Sequence, residues 1–166
     1  ALQMVIMTAQ RQIDVRNAQW ADIDGEVWRA PIAKLSSKQT EYRLDVPLPA
    51  QLQEIITSKK TALLNYAEMP RYVFSSGVNK FISEAALRKE LKLHGLEDSE
   101  GRPITMHGFR TTFKDWCRVN DAAEDEISEI QLSHVSRSSV RSAYARDKLL
   151  PKRAELMQRY ADFLAA

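Results

Sequence analysis

One cysteine, three histidines and no apolar segment of membrane-spanning length set the first limits on this 166-residue chain. A lone Cys117 excludes an intramolecular disulfide, and one cysteine with three histidines does not readily furnish a structural zinc cage. The longest apolar runs, such as Met4 to Met7, fall far short of the roughly 20 residues a bilayer demands. No basic stretch followed by a long apolar one opens the chain, so nothing directs it to secretion, and a cytoplasmic location is the expectation. Strong charge of either sign is also missing. Twenty-four basic residues face 22 acidic ones for a net +2, which permits a nucleic-acid partner without requiring one. No internal repeat or low-complexity tract divides the sequence, and a domain of this length buries roughly 68–70% of its unfolded surface, enough for a core without staples. The opening residues Ala1 to Thr8 lie inside an apolar stretch with no cap ahead of them, so the expectation is one domain, residues 1–166, cut from a longer protein.

Patterning predicts a mainly α domain with a small antiparallel β-sheet near its N-terminus. A short helix is expected over Gln10–Gln19, followed by a turn at Asp24-Gly25. Glu26–Ile32 and Tyr42–Leu48 alternate in strand fashion, and the polar residues 33–41 between them read as a hairpin tip carrying Lys34 and Lys38. From Pro49 a helical period begins, with Leu52, Ile55, Ile56, Leu63 and Leu64 as its apolar positions. Tyr72–Gly77 is a short extended piece. Ser83 caps a helix to Lys92 that Gly95 stops, and Thr105 caps another over His107–Val119 with Phe109, Phe113, Trp116 and Cys117 as its apolar stripe. Further helices are expected over Glu124–Leu132, Ser136–Tyr144 and Lys152–Leu164. The acidic residues from Asp121 to Glu129 read as caps and solvated surface, His94 as a loop residue, and the tail as an amphipathic stretch whose apolar face must pack somewhere.

Four places put cationic or proton-transferring groups in positional settings: Arg11 within Thr8–Val15, Lys38 on the hairpin, His107-Gly108-Phe109-Arg110, and Leu132-Ser133-His134-Val135 followed by Ser139-Val140-Arg141-Ser142-Ala143-Tyr144. A His-x-x-Arg match alone is weak, and each residue has a plain alternative. Arg11 reads equally as a surface arginine paired with Asp14, His134 as a satisfied core histidine, and Tyr144 as a buried aromatic. The order of the elements is more specific than any one of them. In that order, from Thr8 to about Phe163, the chain resembles the catalytic domain of the tyrosine recombinases, the phage integrase family, and is most similar to integrases of prophages and genomic islands. It departs from the family pattern at Ala9, where glycine is usual, and at Asp14, where glutamate is usual.

The resemblance implies the DNA breaking-rejoining fold and a site made of Arg11, Lys38, His107, Arg110, His134 and the nucleophile Tyr144, with Lys34 a second candidate for the lysine. Such residues suit the chemistry. Guanidinium groups bind non-bridging phosphate oxygens bidentately and stay charged, and beside them a phenolate is favoured over a phenol of pKa about 10. Tyr144 would then form a 3′-phosphotyrosine that conserves the bond energy, so that rejoining uses neither ATP, a cofactor nor a metal. Lys38 would protonate the leaving 5′-oxygen, and the two histidines would serve the tyrosine proton and the phosphate. The implied partners are double-stranded DNA attachment sites, a homotetramer with its C-terminal segment exchanged, and DNA-bending accessory proteins. No membrane is among them. A type IB topoisomerase-like nicking-closing enzyme and a non-catalytic DNA-binding or assembly domain are the competing functions.

Overall fold

The computed structural model describes residues 1–32, 42–134 and 149–166. Lys34, Lys38 and Tyr144, and with them the helix expected over Ser136–Tyr144, lie outside the described residues. The apolar start is a helix, α1 (Leu2–Thr8), which buries Met4, Val5 and Thr8 and ends at Ala9 in the left-handed region, φ 52°. The helix expected over Gln10–Gln19 is shorter than its pattern, because α2 covers only Gln12–Arg16 before a 3₁₀ turn at Trp20–Asp22.

A three-stranded antiparallel sheet follows in the order β1 (Ile23–Asp24), β2 (Val27–Pro31), β3 (Arg43–Pro47). Gly25 takes φ 56° in the turn between the first two strands, as the Asp-Gly pair requires. Trp28 pairs with Val46 and Ala30 with Leu44, and all four point into the core, which is the alternation visible in the sequence. Helix α3 (Ala50–Leu63) buries Leu52 and Ile56, but its periodic pattern outruns the core. Leu64, expected on the apolar face, is the C-cap and 71% exposed.

The extended piece after Tyr72 enters a second, two-stranded sheet, β4 (Ser75–Gly77) with β5 (Lys80–Phe81), that no alternation announces. Helix α4 (Glu84–Leu93) starts where expected, the Ser83 hydroxyl accepting from the Ala86 amide at 3.1 Å, and Gly95 stands just past its end at φ 59°. Helices α5 (Gly108–Val119), α6 (Asp125–Gln131) and α7 (Leu150–Ala165) complete the described chain.

Two apolar clusters organise these elements. One gathers Met4, Val5, Trp28, Leu44, Leu52, Val73 and neighbours around the first sheet. The other joins Phe113 and Cys117 of α5, Ile127 of α6 and Leu156, Met157 and Tyr160 of α7. The amphipathic tail therefore packs on its own domain, with the Tyr160 ring at 5.0 Å from both Phe113 and Trp116. Ala9 belongs to the second cluster while α1 belongs to the first, so the α1–α2 turn is pinned between them. Among the described residues, no helix is long and apolar enough to cross a membrane.

Candidate active site

Arg110 is the hub. It lies in the first turn of α5, whose start is fixed by the Thr105 hydroxyl accepting from the Gly108 amide at 3.1 Å, and its side chain turns inward to 4% exposure. A buried guanidinium must spend its donors on something, and here they meet backbone carbonyls. Nη1 donates to the Ala9 carbonyl and Nη2 to that of Leu132 at 2.6 Å, so one side chain ties the turn before Arg11 to the turn before His134. Both turns depend on a non-glycine residue in left-handed backbone, Ala9 at φ 52° and Ser133 at φ 54°.

A buried polar network makes the same connection a second time. The Gln10 amide donates to the Gln131 carbonyl, the Gln131 amide returns to the Thr8 carbonyl at 2.8 Å, and the Ser133 hydroxyl reaches Gln10 Oε1 at 3.1 Å. Arg153 of α7, fully buried, donates to the Asp45 carbonyl of β3 at 2.7 Å and reaches Gln131 Oε1 at 3.4 Å. The tail helix is thus hydrogen-bonded into the scaffold of the site.

Arg11 is the N-cap of α2, in extended backbone, and lines the same cavity as Arg110. The Arg110 pKa is pushed down to about 10, by burial first and by the Arg11 charge second, with Asp14 and Glu129 opposing. Two guanidinium groups held together in this way attract an anion. Arg11 Nη1 is also buried with no hydrogen-bond partner among the described residues. Arg11 is half-buried and Asp14, three residues on, is completely buried, so this turn is not an exposed helix face. His107, the N-cap of α5, is exposed and lines a cavity of about 890 Å³ together with Arg11 and Arg110, and with Ile13, Leu91 and Ile104 as apolar lining.

His134 sits with Nε2 at 3.2 Å from Arg110 Nη2, and its Nδ1 is 2.9 Å from Glu129 Oε2. A carboxylate only accepts, so Nδ1 carries the proton and Nε2 is left to accept from Arg110. His134 is therefore no core histidine. It is 42% exposed along its side chain and hydrogen-bonded at both nitrogens. Four expected residues, Arg11, His107, Arg110 and His134, thus come together.

No family model matches the sequence. Curated proteins and solved structures do. The integrase of Shigella phage Sf6 is 31% identical over 166 residues, an alignment covering 99% of this chain and 41% of that protein. Prophage integrase IntS of Escherichia coli (strain K12) is 30% identical over 166 residues with the same coverages, 99% and 41%. The chain thus spans about two-fifths of the length of these relatives. The structure of XerA recombinase superposes with a TM-score of 0.62 at 14% identity, over 87% of this chain and 56% of that one. The lambda integrase catalytic core gives 0.57 at 19% identity, over 84% and 80%, and lambda integrase bound to DNA gives 0.55 at 17%, over 84% and 50%. Over 99% of its length the chain is thus similar to a phage and a prophage integrase, and its fold is that of the tyrosine recombinases.

Within this recombinase fold, sequence reasoning overlooked Glu129 and Lys114. The acidic run reads in sequence as caps and solvent-facing charge, yet Glu129 bridges His134 and Lys114, and Lys114 Nζ also meets Asp125 at 2.6 Å and the Ser128 hydroxyl at 2.7 Å. Burial alone would raise the Glu129 carboxyl, but hydrogen bonds from Lys114 and His134 outweigh it and hold the group below its usual range. The available signal was Glu129 lying one α6 turn and a tight turn ahead of His134, but nothing in the sequence shows that the chain doubles back there.

Proposed function

We propose that this chain is the strand-cleaving and rejoining domain of a site-specific DNA recombinase that integrates or excises a mobile element. The observation that carries the reading is the buried, unpartnered Arg11 Nη1 beside an Arg110 whose own donors are largely consumed by backbone. A scissile phosphate completes this arrangement, because its non-bridging oxygens supply the acceptors that Arg11 awaits and the charge that the pair requires. That lambda integrase is known in a DNA-bound structure of similar fold supports double-stranded DNA as the partner.

Tyr144 attacks phosphorus, the P–O5′ bond breaks, and the enzyme keeps a 3′-phosphotyrosyl bond while Lys38, with Lys34 as its alternate, protonates the departing 5′-oxygen. His107, exposed and lining the same cavity as Arg11 and Arg110, takes the tyrosine proton or contacts the phosphate. His134, when protonated at Nε2, donates to a phosphate oxygen. A new 5′-hydroxyl then attacks the phosphotyrosine and restores the phosphodiester, so atoms and charge balance without an external energy source. The greater length of the relatives supports a whole protein with an N-terminal DNA-binding portion, acting in the cytoplasm on attachment sites. It would act as a homotetramer that exchanges its C-terminal segment and is aided by DNA-bending proteins. Leu164, 39% exposed near the end of α7, and the outer side of Phe163, 55% exposed although its ring packs beside Trp116 and Tyr160, support a terminal contact between protomers.

The whole integrase, incubated with a nicked suicide substrate of its own attachment site, is expected to become covalently attached to DNA. Tyr144→Phe is expected to lose the adduct and keep DNA binding. A wild-type protein that binds its site but forms no adduct overturns the reading.

A further inference from the structure

His134 is fastened to Glu129 twice. Its ring donates Nδ1–H to Oε2 at 2.9 Å, and its backbone amide donates to the Glu129 carbonyl at 3.0 Å, a closure that the left-handed Ser133 makes possible. The other carboxylate oxygen, Oε1, takes Lys114 Nζ at 2.7 Å. Lys114 lies one helical turn beyond Arg110 on α5 and only 20% of its side chain is exposed, while Asp125 and the Ser128 hydroxyl hold its ammonium from α6. A chain of contacts therefore runs Lys114–Glu129–His134–Arg110, ending on the guanidinium that closes the phosphate site.

A single imidazole in water distributes its proton between both nitrogens, and a ring 42% exposed has room to turn. A carboxylate on Nδ1 removes both freedoms. It admits only the ring orientation that puts Nε2 against Arg110. Lys114 does for Glu129 what Glu129 does for His134. Held between Asp125 and Ser128, it keeps Oε1 occupied and leaves Oε2 to the ring.

We propose that Glu129, anchored by Lys114, is a positioning residue that fixes the tautomer and orientation of His134 for the cleavage step. This deepens the recombinase reading and rests on it for the kinetic consequence, whereas the tautomer itself is a property of the protein without DNA. Two measurements on the whole protein separate the two. In the first, ring nitrogens are labelled with ¹⁵N in histidine, and the His134 signals are assigned by their loss in His134→Ala. Wild type is expected to show a protonated Nδ1 and an unprotonated Nε2, and Glu129→Ala to shift toward the Nε2–H form. An unchanged tautomer in Glu129→Ala overturns the proposal.

In the second, adduct formation on the suicide substrate is followed in single turnover at saturating DNA. Glu129→Ala is expected to slow it about 10- to 100-fold, with Glu129→Gln, which keeps an acceptor oxygen, recovering part of the loss and DNA affinity staying within about two-fold. In a His134→Ala background, Glu129→Ala is expected to cost almost nothing further, because the group it positions is gone. Equal slowing in both backgrounds makes Glu129 a general structural residue and overturns the proposal. If wild type forms no adduct at all, it is the recombinase reading that falls, and the nitrogen signals still decide the role of Glu129.

Discussion

Ala9 shows how much of this site is stored in backbone geometry at one residue. It is completely buried, its φ of 52° is one that L side chains adopt at a cost of about 1–2 kcal/mol, and its carbonyl receives Arg110 Nη1. The sequence displays the substitution, alanine where the family favours glycine, but not the dihedral angle that makes it matter. Alanine is the largest side chain this position accommodates cheaply. Ala9→Gly relieves strain and forfeits one buried methyl of about 0.8 kcal/mol, so its unfolding free energy in urea is expected within about 1 kcal/mol of wild type. Ala9→Val adds β-branching in left-handed backbone and overfills the cluster around Phe113 and Tyr160, with an expected loss of about 2–4 kcal/mol. If Ala9→Val proved as stable as wild type in the same urea titration, the turn would not be held in that conformation.

Among the elements, the long helices were legible and the short strands were not. Helices α4, α5 and α7 carry several turns of apolar period and local punctuation, Ser83 and Gly95 for α4 and Thr105 for α5, so local chemistry and tertiary burial agree. Strands β1 and β5 have two residues each, too few to show alternation, and the chain leading into the second hairpin is fastened from afar by the Gln19–Tyr72 bridge. Between α5 and α7 the packing has a measurable pH signature. Burial pushes the Cys117 thiol up from 9 to about 11 and Tyr160 up from 10 to about 12, the latter aided by the neighbouring thiolate charge. Raised folded-state values mean that the folded protein keeps these protons after the unfolded chain has released them. Their stabilisation is complete below pH 9 and is lost as pH climbs through 11 and then 12. The thermal midpoint of wild type is therefore expected to decline between pH 9 and 11, and Cys117→Ala to show a shallower decline over that interval. Parallel curves would show that the thiol is not desolvated in the fold.

For the molecule as a whole, near-neutral charge conceals a concentrated site. Arg11, His107, Arg110 and His134 were recognisable because chain order preserves them, whereas Glu129 was not, since a run of acids looks the same whether it faces water or a histidine. The net of +2 is the difference between 24 basic and 22 acidic residues, and away from the site several of these answer one another directly, as Lys152 does Glu124 at 3.0 Å and Arg102 does Asp98 at 2.9 Å. Such paired cations have little left to offer a phosphate, while Arg11 keeps a buried nitrogen unspent. Salt dependence distinguishes the two kinds of cation, because each phosphate neutralised releases condensed counterions and steepens the fall of log K with log salt by about 0.9. Arg11→Gln in the whole protein is expected to flatten that slope by about 1 as well as weaken binding, a change of the size one lost phosphate contact produces. Lys152→Gln, which removes a charge already answered by Glu124, is expected to leave the slope unchanged within error. Equal effects from the two substitutions would mean that the protein meets DNA through its total charge, and that the convergence of Arg11 on Arg110 has no part in holding the backbone.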